Sequence, residues 1–110
     1  MKVLFLAALL SLAASTRAAD NKLQFYYEGG KYFYFVSYES VSLIDNAKRT
    51  VHSGYTDKYG RTTFRVPAGR YTCRIMYRKK VYSFVFDIYK QANIRKVYFG
   101  DGVKTHMKWG

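Results

Sequence analysis

The sequence predicts an all-β protein folded as an antiparallel β-sandwich. Its 12 Tyr and 8 Phe residues suit the pleated, half-buried surface of a strand. After the N-terminal apolar segment, apolar and polar residues alternate in short stretches separated by turn residues, and no stretch keeps the apolar period of a helix. We therefore expect about seven to eight short strands with no crossover helix.

The first residues have the features of a secretory signal peptide. Lys2 is positively charged, residues 3–12 are apolar apart from Ser11, and small residues follow. We expect residues 1–18 to be removed and the mature chain to be secreted, periplasmic or extracellular, without a transmembrane segment. An uncleaved membrane anchor is the alternative, although a bilayer span takes about 20 apolar residues.

The rest of the chain is long enough for one small domain with a single core. The whole sequence contains 19 Lys and Arg against 7 Asp and Glu, a formal net charge of +12, and only Lys2 and Arg17 of these cations lie in residues 1–18. Such an excess of positive charge indicates either an anionic partner or a device for solubility.

Residues 53–71 have the clearest pattern of turns and strands in the sequence, with two turns and a strand between them. Asp57 and Gly60 bracket the first turn, since a short carboxylate accepts backbone N–H groups and Gly tolerates a positive φ. The strand that follows places Phe64 on its apolar face and ends before Pro67 and Gly69, where the chain reverses.

Before this stretch, residues 22–27 and 31–38 flank Glu28-Gly29-Gly30 and predict an N-terminal hairpin. Its second arm, residues 32–36, is aromatic on both faces. We expect the arm to be buried on both sides. The alternative is that a partner covers one face.

Two further strands lie between this hairpin and the first turn of residues 53–71. Residues 39–44 place Val41 and Leu43 on one face, residues 45–48 form a turn, and residues 50–55 return.

The most regular strand covers residues 70–78. Its core face holds Tyr71, Cys73, Ile75 and Tyr77. Lys79-Lys80 should form a tight reversal into a strand with Tyr82, Phe84, Phe86 and Ile88 on one face. Residues 90–94 are then predicted as a loop, residues 95–99 as the last strand, residues 100–102 as a turn and residues 103–110 as a loose tail.

Chemistry-bearing residues are sparse in this sequence. Cys73 is the only cysteine, and its place on the core face predicts a buried structural thiol, with intermolecular pairing as the alternative. His52 and His106 lack further ligands at metal-site spacing, so we interpret both as surface or loop residues. No catalytic residue, metal site or cofactor is predicted.

The candidate binding residues are Arg70, Arg74, Arg78, Lys79 and Lys80. The three arginines recur every four residues on one strand, which forms a one-sided row with neighbours about 13 Å apart at a rise of about 3.3 Å per residue. The row is interpreted either as a solvated face or as a docking surface for an anionic glycan, lipopolysaccharide, extracellular DNA or a surface protein. Export argues against a role with genomic DNA.

Residues 39–99 resemble the carboxypeptidase regulatory-like domain of the transthyretin-like superfamily and are similar to the B-type repeats of collagen-binding proteins. The matching positions are Val41, Leu43, Thr56, Asp57, Gly60, Phe64, Pro67, Gly69 and Tyr71. The resemblance implies a transthyretin-like, or prealbumin-like, Greek key with residues 39–99 as its core. Together with the local patterns above, this divides the rest of the mature chain into residues 19–38, an N-terminal hairpin of the sandwich, and residues 100–110, a C-terminal tail.

The resemblance carries no activity to this chain. Hydroxyisourate hydrolases of the superfamily end in Tyr-Arg-Gly-Ser, whereas residues 106–110 here are His-Met-Lys-Trp-Gly, so that activity is not expected. We therefore expect a non-enzymatic binding or structural module that docks an anionic polymer, carbohydrate included, through its basic strand face. The alternative is a small enzyme or inhibitor whose site residues are not adjacent in the sequence.

Overall fold

The computed structural model describes residues 20–89 and 93–109. The predicted signal peptide, residues 1–18, lies outside the described residues. A membrane-spanning helix is not found within the two described ranges.

Within the described residues, nine strands form two sheets of five and four strands, which confirms the predicted all-β sandwich and is one strand more than the expected seven to eight. The strands are β1 Asp20–Gly29, β2 Tyr32–Phe35, β3 Ser40–Ile44, β4 Thr50–Tyr55, β5 Arg61–Arg65, β6 Gly69–Tyr77, β7 Lys80–Ile88, β8 Asn93–Gly100 and β9 Val103–Trp109. The predicted strands from residue 39 to residue 88 are found within a residue or two of their expected bounds.

The five-stranded sheet is built around β1. One edge of β1 pairs with β8 in parallel, and its other edge is shared by β5 and β2, which both run antiparallel to it. The antiparallel pair of β8 and β9 completes this sheet. The parallel pair departs from the expected antiparallel pairing because alternation within a strand carries no information about the direction of its neighbour.

Gly60 sits where β5 and β2 meet along β1. The N–H of Phe25 donates to the carbonyl of Gly60 at 2.8 Å, and the N–H of Val36 donates to the carbonyl of Phe25 at 3.2 Å. The φ of Gly60 is +76°, and a Cβ there would lie 2.5 Å from the carbonyl oxygen of Phe25. The turn predicted at Asp57 and Gly60 is therefore confirmed. Its Asp57 Oδ1 accepts the N–H groups of Tyr59 and Arg61, each at 2.9 Å.

The four-stranded sheet has the order β4-β3-β6-β7, and its inner face supplies half of the core. The core is made of the inward residues of both sheets: Leu23, Phe25, Val36, Val41, Leu43, Phe64, Val66, Tyr71, Cys73, Ile75, Tyr77, Phe86, Ile88, Val97 and Phe99. The predicted core faces of β3, β5 and β6 are confirmed. Cys73 is fully buried with a free thiol, as predicted, and burial raises its pKa.

The reversal between β6 and β7 occurs one residue earlier than predicted. Arg78 and Lys79 form the turn with φ of +49° and +66°, and Tyr77 pairs with Lys80. Lys80 belongs to β7, from which its ammonium group reaches Asp101. The carboxylate of Glu39 accepts the N–H of Arg78 at 3.1 Å and fixes the turn from the other side.

The predicted loose tail contains a strand. Residues 103–109 form β9, which pairs with β8, for example Tyr98 with His106. The alternation of half-buried Val103 and Met107 with exposed Lys104 and His106 is the signal for this strand. β8 itself extends from Asn93, so that residues 93 and 94 are strand rather than the expected loop.

The prediction that the aromatic arm is buried on both sides is wrong. Tyr32, Phe33, Tyr34 and Phe35 are 67%, 60%, 41% and 45% exposed, and only Val36, just beyond β2, is buried. The physical reason is position, since β2 lies at the edge of its sheet and pairs only with β1 among the described strands.

Candidate binding surface

The predicted basic row lies at one face and one end of the four-stranded sheet. Arg70 and Arg74 point outward from β6 and are exposed, while Arg78 and Lys79 form the exposed turn and Lys80 begins β7. The structure therefore brings these residues to one side of the molecule but gives them different surroundings.

Two of the five cations are already neutralised. The guanidinium of Arg70 donates from Nε and Nη2 to the two carboxylate oxygens of Asp87 at 2.9 and 3.3 Å, a bond that lowers the pKa of Asp87. Lys80 donates to Asp101, whose Oδ1 also accepts the hydroxyl of Tyr82 at 3.0 Å. The first pair joins the neighbouring strands β6 and β7, and the second joins β7 to the turn between β8 and β9 of the other sheet.

Arg74, Arg78 and Lys79 form no ion pair with the described residues. The guanidinium of Arg78 lies 5.1 Å from the ring centre of Tyr77 and 5.8 Å from that of Tyr34, within reach of a cation–π contact. Arg74 therefore carries the unpaired charge nearest the middle of the sheet face.

Arg74 lies in a row of serines that crosses all four strands. Strand pairing puts Ser42 opposite Ser53 on one side and opposite Arg74 on the other, and Arg74 opposite Ser83. We call Ser53, Ser42, Arg74 and Ser83 the serine–arginine row. It combines three hydroxyl groups, which donate and accept, with a guanidinium that matches carboxylate and sulfate geometry.

A shallow groove of about 390 Å³ lies over three members of the serine–arginine row, Ser42, Arg74 and Ser83. It is lined by Ser40, Ser42, Arg74, Ile75, Met76, Val81 and Ser83. Tyr55, 74% exposed and paired with Ser40, stands at the β4 side, and exposed Val81 and Val85 stand at the β7 side. The surface can thus hydrogen-bond a polar ligand, attract an anion and pack against an apolar ring face.

The serines and Tyr55 were missed by the sequence analysis. Alternation does place Ser40 with Ser42, and Ser53 with Tyr55, on one face of each strand. What alternation leaves open is the register between strands, which alone aligns Ser42, Ser53 and Ser83 with Arg74.

A second, larger cavity of about 720 Å³ lies near β4 and β5, and His52 contributes to its lining. His52 is a half-buried residue on the inner side of β4, with its ring 5.7 Å from that of Phe64, so its interpretation as a surface or loop residue is wrong. Burial lowers the pKa of His52, and its Nε2 is buried without a hydrogen-bond partner among the described residues. Asp57, also in the lining, is occupied by its own turn and by Arg61.

Solved structures with the same fold include two enzymes and one much longer protein. The Klebsiella pneumoniae 5-hydroxyisourate hydrolase has a TM-score of 0.55 at 17% identity, over 82% of this chain and 98% of its own. An (S)-allantoin synthase has a TM-score of 0.59 at 11% identity, over 94% of this chain and 49% of its own. The Bacillus anthracis TIE protein has a TM-score of 0.56 at 20% identity, over 74% of this chain and only 17% of its own.

No protein-family model matches the chain, and no curated protein is similar to it in sequence. The structural likeness shows that the chain has a transthyretin-like fold. These similarities do not show that the chain is a carboxypeptidase regulatory-like domain.

The prediction that the chain is not an enzyme is corrected by these comparisons. Two structures of the same fold are a hydrolase and a synthase, so the fold gives no reason to exclude catalysis. The sequence contains no catalytic residues close together, but a β-sandwich can assemble a site from strands that are distant in the chain.

Proposed function

We propose that the chain binds an acidic glycan on the outer face of its four-stranded sheet. The observation that carries this proposal is the unpaired, exposed Arg74 within the serine–arginine row. Its guanidinium takes a carboxylate or sulfate group of the glycan, and the row's hydroxyls take sugar hydroxyls.

Three further features support an acidic glycan over a neutral one. Of the formal net charge of +12, only the two charges of Lys2 and Arg17 lie in residues 1–18, so +10 remains after their removal and attracts a polyanion within about a Debye length. Arg78 and Lys79 extend the positive surface beyond Arg74 at the end of the sheet. Tyr55 offers an exposed ring on which a sugar can pack. Export through residues 1–18 would bring this surface among envelope or extracellular glycans.

The test measures affinity for heparin, lipopolysaccharide and uncharged dextran across a salt series. We expect heparin or lipopolysaccharide to bind with steep salt dependence, and Arg74→Ala with Arg78→Ala to reduce that slope by roughly one unit for each lost contact. Dextran should not bind.

The charge-matched control is Lys104→Ala with Lys108→Ala, which removes two exposed cations from the other sheet. This control should keep the parent's slope. Equal salt-dependence slopes for the parent and the Arg74/Arg78 variant would overturn the proposal. An equal reduction of the slope in both double variants would also overturn it, because binding would then depend on the net charge of the whole chain and not on this surface.

A further inference from the structure

The outer edge of β2 is an open strand edge. Gly29 and Tyr32 pair across the two-residue turn Gly30-Lys31, so the N–H and C=O groups of Tyr32 point toward β1. The hydrogen bond from the N–H of Val36 to Phe25 continues this alternation. Phe33 therefore points its backbone N–H and C=O away from β1, and no other described strand pairs with that edge.

The strand behind this edge is held in place by aromatic contacts. On one face the ring of Phe33 meets the ring of Tyr98 edge-on at 5.4 Å, and Phe35 lies 5.5 Å from Tyr26. On the other face the Tyr34 ring lies beside the Arg78 guanidinium. An incoming strand would therefore meet an edge that is already ordered, which reduces the entropy cost of binding.

The side chains along the edge are unusual for a strand at a sheet boundary. Soluble proteins shield such edges with charged residues or proline, whereas all four residues of β2 are aromatic and 41–67% exposed. Exposed apolar area of this kind marks an interaction site.

Positive charge lies at both ends of β2. Lys31 lies in the hairpin turn and the guanidinium of Arg78 lies 5.8 Å from the ring centre of Tyr34. At the other end, Lys58 lies over the ring of Tyr59, which contacts Phe35. A second copy of this chain would bring the same positive charge to the contact. An acidic strand is complementary to it.

We propose that β2 binds an extended acidic segment of a partner protein as an added antiparallel or parallel strand. The backbone of Phe33 supplies hydrogen bonds to the incoming strand, the exposed aromatic rings pack on its apolar side chains, and the flanking cations select acidic residues. This mode of recognition gains affinity from main-chain pairing and specificity from side chains.

The test uses synthetic nine-residue peptides of alternating Glu and Val or alternating Lys and Val. The Glu-Val peptide should bind and the Lys-Val peptide should not. Phe33→Ala removes only the ring, whereas Phe33→Pro also removes the outward N–H, which the native sheet does not use. We expect Phe33→Pro to bind about tenfold more weakly than Phe33→Ala, as for the loss of one hydrogen bond.

A second measurement keeps the parent protein and replaces the Glu-Val peptide by one N-methylated at alternate residues. Its side chains are unchanged but its strand pairing is blocked, so binding should be lost. Equal binding of the methylated and unmethylated peptides, or of the two peptide charges, would overturn the proposal. A parent chain that sediments as a dimer, with Phe33→Pro monomeric, would also overturn it in favour of self-pairing.

The two surfaces are separable by a single variant. Arg74→Ala should weaken heparin binding and leave Glu-Val peptide binding unchanged, since Arg74 lies in the middle of the other sheet.

Discussion

The ring of Tyr27 on β1 stacks on the ring of Tyr77 on β6, with centroids 4.4 Å apart and planes inclined by 23°. This contact joins the two sheets at the end of the sandwich that carries the turn of Arg78 and Lys79. The hydroxyl of Tyr27 also donates to Asp101 at 3.3 Å. The side chain of Tyr27 therefore packs the two sheets together and also bonds to Asp101, the carboxylate that pairs with Lys80 of the basic row.

We predict a measurable coupling between Tyr27 and Tyr77. Stacked aromatic pairs contribute about 0.5–1.5 kcal/mol beyond the area they bury. A double-mutant cycle with Tyr27→Leu and Tyr77→Leu, measured by urea unfolding, should give a coupling free energy in this range. Strictly additive losses would show that the stack contributes only burial.

Phe64→Ala should be severely destabilising. Phe64 is 3% exposed and lies edge-on to Phe86 at 6.4 Å, so its truncation should cost about 3–5 kcal/mol. Thr63→Ala, one residue earlier on the exposed face of β5, is the control and should change stability by about 0.5 kcal/mol or less. Similar melting temperatures for both variants would contradict the assigned faces of β5.

Gly60→Ala should destabilise the fold far more than Gly102→Ala. Both glycines have positive φ, +76° and +70°, which costs an alanine roughly 1 kcal/mol. Only at Gly60 would the new methyl group also meet a backbone atom, the Phe25 carbonyl at 2.5 Å. Comparing the melting temperatures of the two variants isolates the effect of this clash. Equal losses of stability would mean that the backbone where β5 and β2 meet shifts freely to admit the methyl group.

Lys79→Gly should stabilise the chain by about 1 kcal/mol. Lys79 has a φ of +66° in the two-residue turn between β6 and β7, where glycine is free of the strain that a side chain causes. Chemical denaturation measures the gain. Lys31→Gly, in the turn between β1 and β2 and without positive φ, should give none.

The fold should lose stability in acid partly through Asp101. Hydrogen bonds, first from Lys80 and then from Tyr82, lower the pKa of Asp101 in the folded chain. A lowered pKa means that this stabilisation is present above the unfolded value of about 3.9 and is lost as the pH falls through the folded value. In melting curves from pH 7 to pH 2, the difference between the parent and Asp101→Asn should shrink below about pH 4. A constant difference would exclude this role for Asp101.

The sequence was sufficient for the strands that obey a strict alternation. Val41 and Leu43 on β3, and the four core residues of β6, alternate with mostly polar neighbours and are bounded by Gly, Pro or Asp turns. Both the strand type and the buried face could therefore be predicted. Local pattern also identified the turn of Asp57, because its carboxylate bonds to residues two and four positions ahead.

The features that sequence reasoning missed depend on pairing between distant strands. Aromatic residues in β2 have the pattern of a buried strand, and only their place at the sheet edge leaves Tyr32 and Phe33 exposed. The candidate site also depends on pairing between distant strands. The arginines could be read from one strand, but the alignment of Arg74 with Ser42 and Ser83 follows from two strand registers that no local pattern specifies.

The parallel pairing of β1 with β8 also sets the order of events in folding. The first described strand lies at the centre of its sheet, yet its parallel neighbour is the eighth of the nine described strands to be synthesised. Contacts between such distant segments form slowly because a long loop must close first. The five-stranded sheet can therefore be completed only after almost all of the described chain has been delivered, and until then β1 presents an unpaired edge that a chaperone would need to shield.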